Sequence, residues 1–424
     1  MMSQSQFLPG VAPCFHVSPW QKVSLCEFHP AASRRDERAT QTHFTMDLTR
    51  TAYGTWSGGR FMHFGRALEE DHFLRAIRHA YDEGIRTFMT ADVYANGAAD
   101  ELLGRALDGL PRESYSLVGI VGHDIYPGVR DGSKGFLRFT DARLRKPEDF
   151  ASYLRMATEK GLQRCRATKF DCLLLHNPDS IGYSSDAVWS AMQKVKDAGL
   201  TDRLGIAPGP ANGFTLDIIQ CFERFDGLVD WAMIILNPLE PWPGLMLLPA
   251  AEKTGVKLIT RVVDYGGLFH GDVKPGHKFG YGDHRTFRAA GWVEAGNAKL
   301  DALRPFAEKY GITMLQLACL WNLSQPAVHS VIPTMIQEEA PDAKPIEQKI
   351  SELAKMPELK LSADDCAAIL AIGNNKGCME LKGGNPAHQG DPQPDRWALN
   401  ADLEAVGQRW GVDPRRDLVC TMGH

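Results

Sequence analysis

The chain predicts a (β/α)8 barrel, the TIM-barrel fold, with long loops after strands three and seven and an extension at each end. Three observations lead there. From about residue 51, short β-branched or apolar runs alternate with segments whose apolar residues recur at i, i+3 and i+4. Eight such runs are present, the number that closes a barrel of parallel strands joined by right-handed crossovers. No GxGxxG follows the first run, which argues against an open dinucleotide-binding sheet.

In order, the expected strands are TAYGTW, GIRTFMT, YSLVGIV, FDCLLLH, RLGIA, DWAMIIL, VKLITRVV and HSVIP. Between them stand the helical patterns HFLRAIRHAYDEG, DELLGRALDGL, FASYLRMATEKGL, AVWSAMQKVKDAG, FTLDIIQCFERF and LMLLPAAEKTG. Gly84, Gly161, Gly199 and Gly255 are read as their stop signals, because glycine accepts the left-handed conformation that ends a helix. Residues 122–147 and 264–293 are too long for plain connections. Both follow strands and so belong to the C-terminal face, where barrels build their sites. Residues 1–45, with four prolines and the charged run SRRDER, read as an extension. The barrel is then expected over 46–374. The Gly- and Pro-rich tail 375–424, carrying Lys382, His388, Arg396 and Trp397, is expected to pack over the barrel.

Of 424 residues, 44% are hydrophobic and 23% charged, and no run of 18 apolar residues offers a membrane span. A net charge of −5 gives no reason to expect nucleic acid or an anionic membrane as partner. The N-terminus lacks a basic stretch followed by an apolar core, and the Arg34-Arg35 pair has no hydrophobic segment after it. Nine scattered cysteines without CxxC spacing suit reduced thiols, so the expected compartment is the cytoplasm. The expected partner is a small-molecule substrate, with a homo-oligomer left open.

Read together, AYGTW, EGIRTFMTADVYANGAADELLGRAL, CLLLHNPD, RLGIAPGP, IILNPLEP and KYGITMLQLACLWNLSQPAVHSVIP resemble the aldo-keto reductases over about residues 50–335. The resemblance implies the same barrel, NAD(P)H as cofactor, and a tetrad in which a tyrosine gives a proton to the substrate oxygen. In that tetrad a lysine–aspartate pair lowers the tyrosine's pKa and a histidine orients the substrate. Carried over, the tyrosine is Tyr94 and the histidine His176. The aspartate's place holds Met89, and the lysine's place falls near Val121, with no lysine from 114 to 133. The nicotinamide contacts also differ, with Ala207 and Pro208 after strand five and Leu236 where an aromatic ring often stacks. The phosphate loop reads IPTMIQEEAPDAK, with Thr334 for a glycine and with Glu338 and Glu339, whose charges would repel a phosphate.

From the residues themselves, Tyr94 is a donor or general acid, and Asp92, two positions earlier, would share its face if the strand ran on. His123 and Asp124 stand where strand three ends. His123 could supply a base there, while no HxH, HExxH or CxxC spacing supports a metal. Trp56, Asn177, Asn237, Arg261 and Asp264 sit at or beyond strand ends and are candidate substrate contacts. GYGDHRTF offers Asp283, His284 and Arg285; it resembles loops of sugar-processing relatives, and its simplest reading is a salt bridge internal to the loop. Three functions stay open: an NAD(P)H-linked oxidoreductase on a small carbonyl or sugar-like substrate, a cofactor-independent lyase, isomerase or hydrolase using Tyr94 and His176, and a silent barrel serving as a regulatory subunit.

Overall fold

Eight short strands, almost wholly buried, form one parallel sheet in sequence order. They are β1 (Ala52–Gly54), β2 (Thr87–Ala91), β3 (Ser116–Val121), β4 (Cys172–His176), β5 (Leu204–Ala207), β6 (Trp231–Ile235), β7 (Lys257–Arg261) and β8 (Val328–Ile332). A parallel bridge between Thr51 and Val331 joins the last strand to the first and completes the (β/α)8 barrel. This computed structural model describes residues 47–128, 130, 135–209, 214–376, 393–394 and 399–420. All of them lie in one unit, Phe44–His424. The expected extension at 1–45, and Lys382, His388, Arg396 and Trp397 of the tail, lie outside the described residues.

Side chains alternate across each strand, and this sorts the core into two layers. Ala52, Met89, Ala91, Val118, Ile120, Cys172, Leu174, Ala207, Met233, Ile259 and Ile332 pack together inside the barrel. Phe88, Leu117, Val121, Leu173, Leu175, Ile206, Ile234 and Leu258 belong to the second layer, beneath the helices. Those helices are α1 (Glu70–Asp82), α2 (Ala98–Ala106), α3 (Phe150–Arg164), α4 (Ser180–Ser184), α5 (Asp186–Asp197), α6 (Thr215–Arg224) and α7 (Leu248–Thr254). The series continues with α8 (Trp292–Tyr310), α9 (Met314–Leu323), α10 (Ile346–Ala354), α11 (Ala363–Gly373) and α12 (Ala401–Trp410). Helix α1 shows why they form: Phe73, Ala76, Ile77 and Ala80, at helical spacing, are its buried face.

Two sequence expectations are corrected. Gly161 does not stop α3, which runs on to Arg164. A Cβ at Gly161 would lie 3.4 Å from the Phe170 ring, so its smallness serves packing. Strand seven ends at Arg261 rather than Val263, because Val262 turns to a φ of +59°. In the described part of the tail, Arg409 and Trp410 both reach Glu223 on the barrel's flank, and Trp242 donates to the Asp417 carbonyl.

The barrel leaves little room at β5. A methyl on Gly205 would stand 2.0 Å from the Trp231 carbonyl oxygen and 2.7 Å from a Leu174 methyl. Gly205→Ala should therefore cost roughly 1–3 kcal/mol, read as a lower denaturant midpoint with an unchanged slope.

Candidate active site

The strand ends open into a cleft of about 730 Å³ whose floor is the end of the barrel interior. Four aromatic groups meet on it. Trp56 folds back over Gly54, where a Cβ would strike the indole at 2.5 Å. Tyr94 opens the turn after β2, whose next two residues, Ala95 and Asn96, are left-handed at φ +47° and +55°. The Trp56 and Tyr94 rings meet edge-on with centroids 6.3 Å apart, and Tyr94 meets His176, the last residue of β4, at 6.0 Å. His123 lies edge-on to His176 at 5.0 Å. Tyr94 and His176 are thus brought together, as the sequence expected.

Burial pushes the Tyr94 hydroxyl up to about 12, opposed by the charge of Arg261. Burial also holds His176 well below its ordinary pKa, helped by His123, Arg138 and Arg261, so its ring is neutral at physiological pH. His123 is committed elsewhere. Its Nδ1 donates to the Phe136 carbonyl (3.1 Å), which fixes the tautomer, and its Nε2 accepts from the Asn177 amide (3.0 Å). Burial lowers its pKa to about 4. With both nitrogens engaged, His123 positions Asn177 and the loop after β3 rather than serving as a free base. Among the described residues no group of three or more His, Cys, Asp or Glu is placed to hold a metal ion.

Three further candidates sit differently from the expectation. Asp92 is buried behind the strand, away from the cleft, and among the described residues no group other than the adjoining Val93 N–H approaches its carboxylate as a donor. Burial and the neighbouring Asp100 push its pKa well up, against the pull of Arg164. The chain turns directly after Ala91, so strand alternation no longer places Asp92 on Tyr94's side. Asn237 is fully buried, with Oδ1 accepting from the Leu239 N–H and Nδ2 donating to the Val262 carbonyl, and it does not line the cleft. Asp264 borders the cleft, but its oxygens accept the backbone N–H groups of Thr334 and Gly267 and so pin the β7 loop. The pairing of Met89 with Val121 is also corrected. Met89 faces the barrel interior level with Val118, whereas Val121 points outward under the helices, so the inward residue near the end of β3 is Ile120.

The cleft is lined by more arginine than the sequence reading found. Arg261 donates to the carbonyls of Pro208 (3.2 Å) and Gly209 (2.7 Å). Arg138, from the β3 loop, donates through Nε to the Asn177 carbonyl (2.7 Å). Arg288 is stacked between Tyr265 and Trp292, 4.4 Å from each ring, and its two terminal nitrogens are buried without a partner among the described residues. Among the described residues Arg285 is the cleft arginine held in ion pairs, by Asp283 within its own loop and also by Glu338, so the Glu338 carboxylate engages a cation instead of facing a phosphate unopposed. Arg138 had a faint signal in the sequence: a cation set between phenylalanines in GFLRFT on a mouth loop.

A closed α/β barrel with a polar cleft at the strand ends is a binding-site architecture of many chemistries. Here the chain belongs to the aldo/keto reductase family, whose model matches residues 51–372. It is 26% identical to the "Probable voltage-gated potassium channel subunit beta" of Arabidopsis thaliana, over 72% of this chain and 95% of that protein. Among solved structures it is similar to a glycerol dehydrogenase from Gluconobacter oxydans, with a TM-score of 0.60 and 25% identity, covering 77% of this chain and 91% of that one. An aldo/keto reductase from Klebsiella pneumoniae, solved with NADP and acetate, shares the fold at a TM-score of 0.51 and 19% identity, covering 76% and 90%. No helix among the described residues is long and apolar enough to cross a membrane.

Two variants test these placements. A carboxyl whose folded pKa is raised adds stability below its unfolded value near 4 and loses it as pH rises through the folded pKa. Asp92→Asn should therefore stabilise the chain at pH 7 and above, with the gain vanishing below about pH 4, as urea midpoints would show. Met89→Asp should cost about 3–5 kcal/mol. Part of that should return with Ile120→Lys and none with Val121→Lys in a double-mutant cycle.

Proposed function

We propose that the protein is an NAD(P)H-linked oxidoreductase that reduces a small polar carbonyl compound in the cleft, with Tyr94 as the acid. The observation that carries this reading is the Tyr94–His176 pair at the mouth, under the influence of one nearby cation, Arg261. Family membership and the likeness to a glycerol dehydrogenase support it.

The residues present suit a dinucleotide. Among the described residues Arg288 holds two unpartnered buried nitrogens beside Gly266, where a Cβ would lie 3.4 Å from the guanidinium, and an anionic diphosphate would satisfy them. Ala207, Met233 and Trp56 give the other end of the cleft an apolar wall for a flat ring. When bound, the dinucleotide supplies the hydride that the carbonyl carbon receives. Tyr94 gives its hydroxyl proton to the carbonyl oxygen as that carbon is reduced, and takes a proton back from solvent through the cleft. Neutral His176 orients the same oxygen. Arg261 stabilises the phenolate that Tyr94 becomes, which is the service the resemblance assigns to a lysine.

Tyr94→Phe should lower kcat for NADPH-dependent reduction at least about 100-fold. Arg261→Gln should push the Tyr94 pKa higher still, so that alcohol oxidation, which needs the phenolate, rises with pH later than in the natural chain. Purified protein that binds neither NADPH nor NADH by calorimetry would overturn the proposal. A nicotinamide-free reaction lost in Tyr94→Phe would then favour the acid–base alternative.

A further inference from the structure

The chain is acidic overall, yet its cleft concentrates unpaired guanidinium groups. Arg138 is fixed at the rim by its bond to the Asn177 carbonyl, directly after His176. Among the described residues no carboxylate forms an ion pair with it. Asp179, the acid whose charge it feels, is already taken by the Thr140 hydroxyl (2.6 Å) and the Gly182 N–H (2.8 Å). Among the described residues the hydrogen bonds of Arg261 go to backbone carbonyls, and the acid whose charge it feels, Glu240, forms no ion pair with it. Asp264, the carboxylate on the cleft wall, has both oxygens turned to backbone N–H groups. Both arginines depress the pKa of His176, so both charges lie close to the Tyr94–His176 pair. A half-buried guanidinium lacking a counter-charge is unfavourable, and its planar fork matches a carboxylate or phosphate. Arg130, stacked 4.9 Å over Phe136, adds a further cation at the rim.

We propose that Arg138, with Arg261 on the opposite wall, holds the carboxylate or phosphate of an acidic substrate, so that the cleft selects sugar-sized anions over their neutral counterparts. This rests on the oxidoreductase reading for its chemistry but not for its binding.

The test is calorimetry on the full chain without dinucleotide, using D-glucuronate, a glucose phosphate and D-glucose as probes. At least one anion should bind about tenfold or more tightly than glucose, and the favoured anion decides between carboxylate and phosphate. Arg138→Gln should shrink the gap to within about threefold. Arg138→Lys, which keeps the charge and loses the fork, should retain part of it and gives the answer if Arg138→Gln fails to fold. Equal binding of all three probes, or a gap unchanged in the variants that fold, overturns the proposal. The two readings fail separately. An anion preference without NADPH oxidation would sink the redox function alone, and reduction of neutral aldehydes with no anion preference would sink this inference alone.

Discussion

The mouth of the barrel hangs on one buried guanidinium. Arg285, 1% exposed, receives Asp283 and Glu338 on its two edges, through four N–H···O contacts of 2.5 to 3.0 Å. A charge this deep is tolerated only when fully paired, and removing one partner would strand the others. Its partners reach further. Asp283 also accepts the Gly65 N–H, so the loop after β1, the loop after β7 and the exit of β8 converge on one group. A neighbouring pair, Lys349 with Asp272, ties α10 to the same β7 loop. The cleft's shape on that side is set by electrostatics more than by apolar packing.

This pairing also explains the division among the arginines. Arg285 is spent on structure, while among the described residues Arg138 and Arg261 donate to backbone carbonyls and Arg288 stacks on rings at the edge of the cleft. Local charge at the site is thus opposite in sign to the chain's net charge of −5. A positive cleft in an acidic molecule focuses anions toward the strand ends. Tyr94 benefits too, because the cation near it comes from β7, across the barrel from where a lysine was sought.

The barrel was plain in the sequence because short apolar runs alternate with segments of period 3.6 from end to end of the domain, interrupted only by two long loops. Tyr94 and His176 were legible for a related reason: each is a polar residue where an apolar run stops. Residues beyond the strand ends were not. Asp92 and Asn237 are polar and adjacent to strands, but a turn decides where they point and no periodicity encodes it. Val121 and Ile120 are neighbours in β3, and in a strand a slip of one position reverses the face. Arg138 and Arg288 lie in long loops whose folds depend on contacts remote in sequence, such as Tyr265, Trp292 and Asn177. Sequence spacing carries no record of those.

The loop after β3 is fastened by its own set of bonds. Arg145 pairs with Asp124 and stacks on Tyr153, Tyr153 donates to the His123 carbonyl, and Thr140 reaches Asp179. None of these bonds involves Arg285 or its partners. The entrance is therefore built as two independently anchored jaws on a rigid ring. Over evolutionary time one jaw can be rewritten, by insertion or substitution between β3 and α3, while the other keeps its geometry.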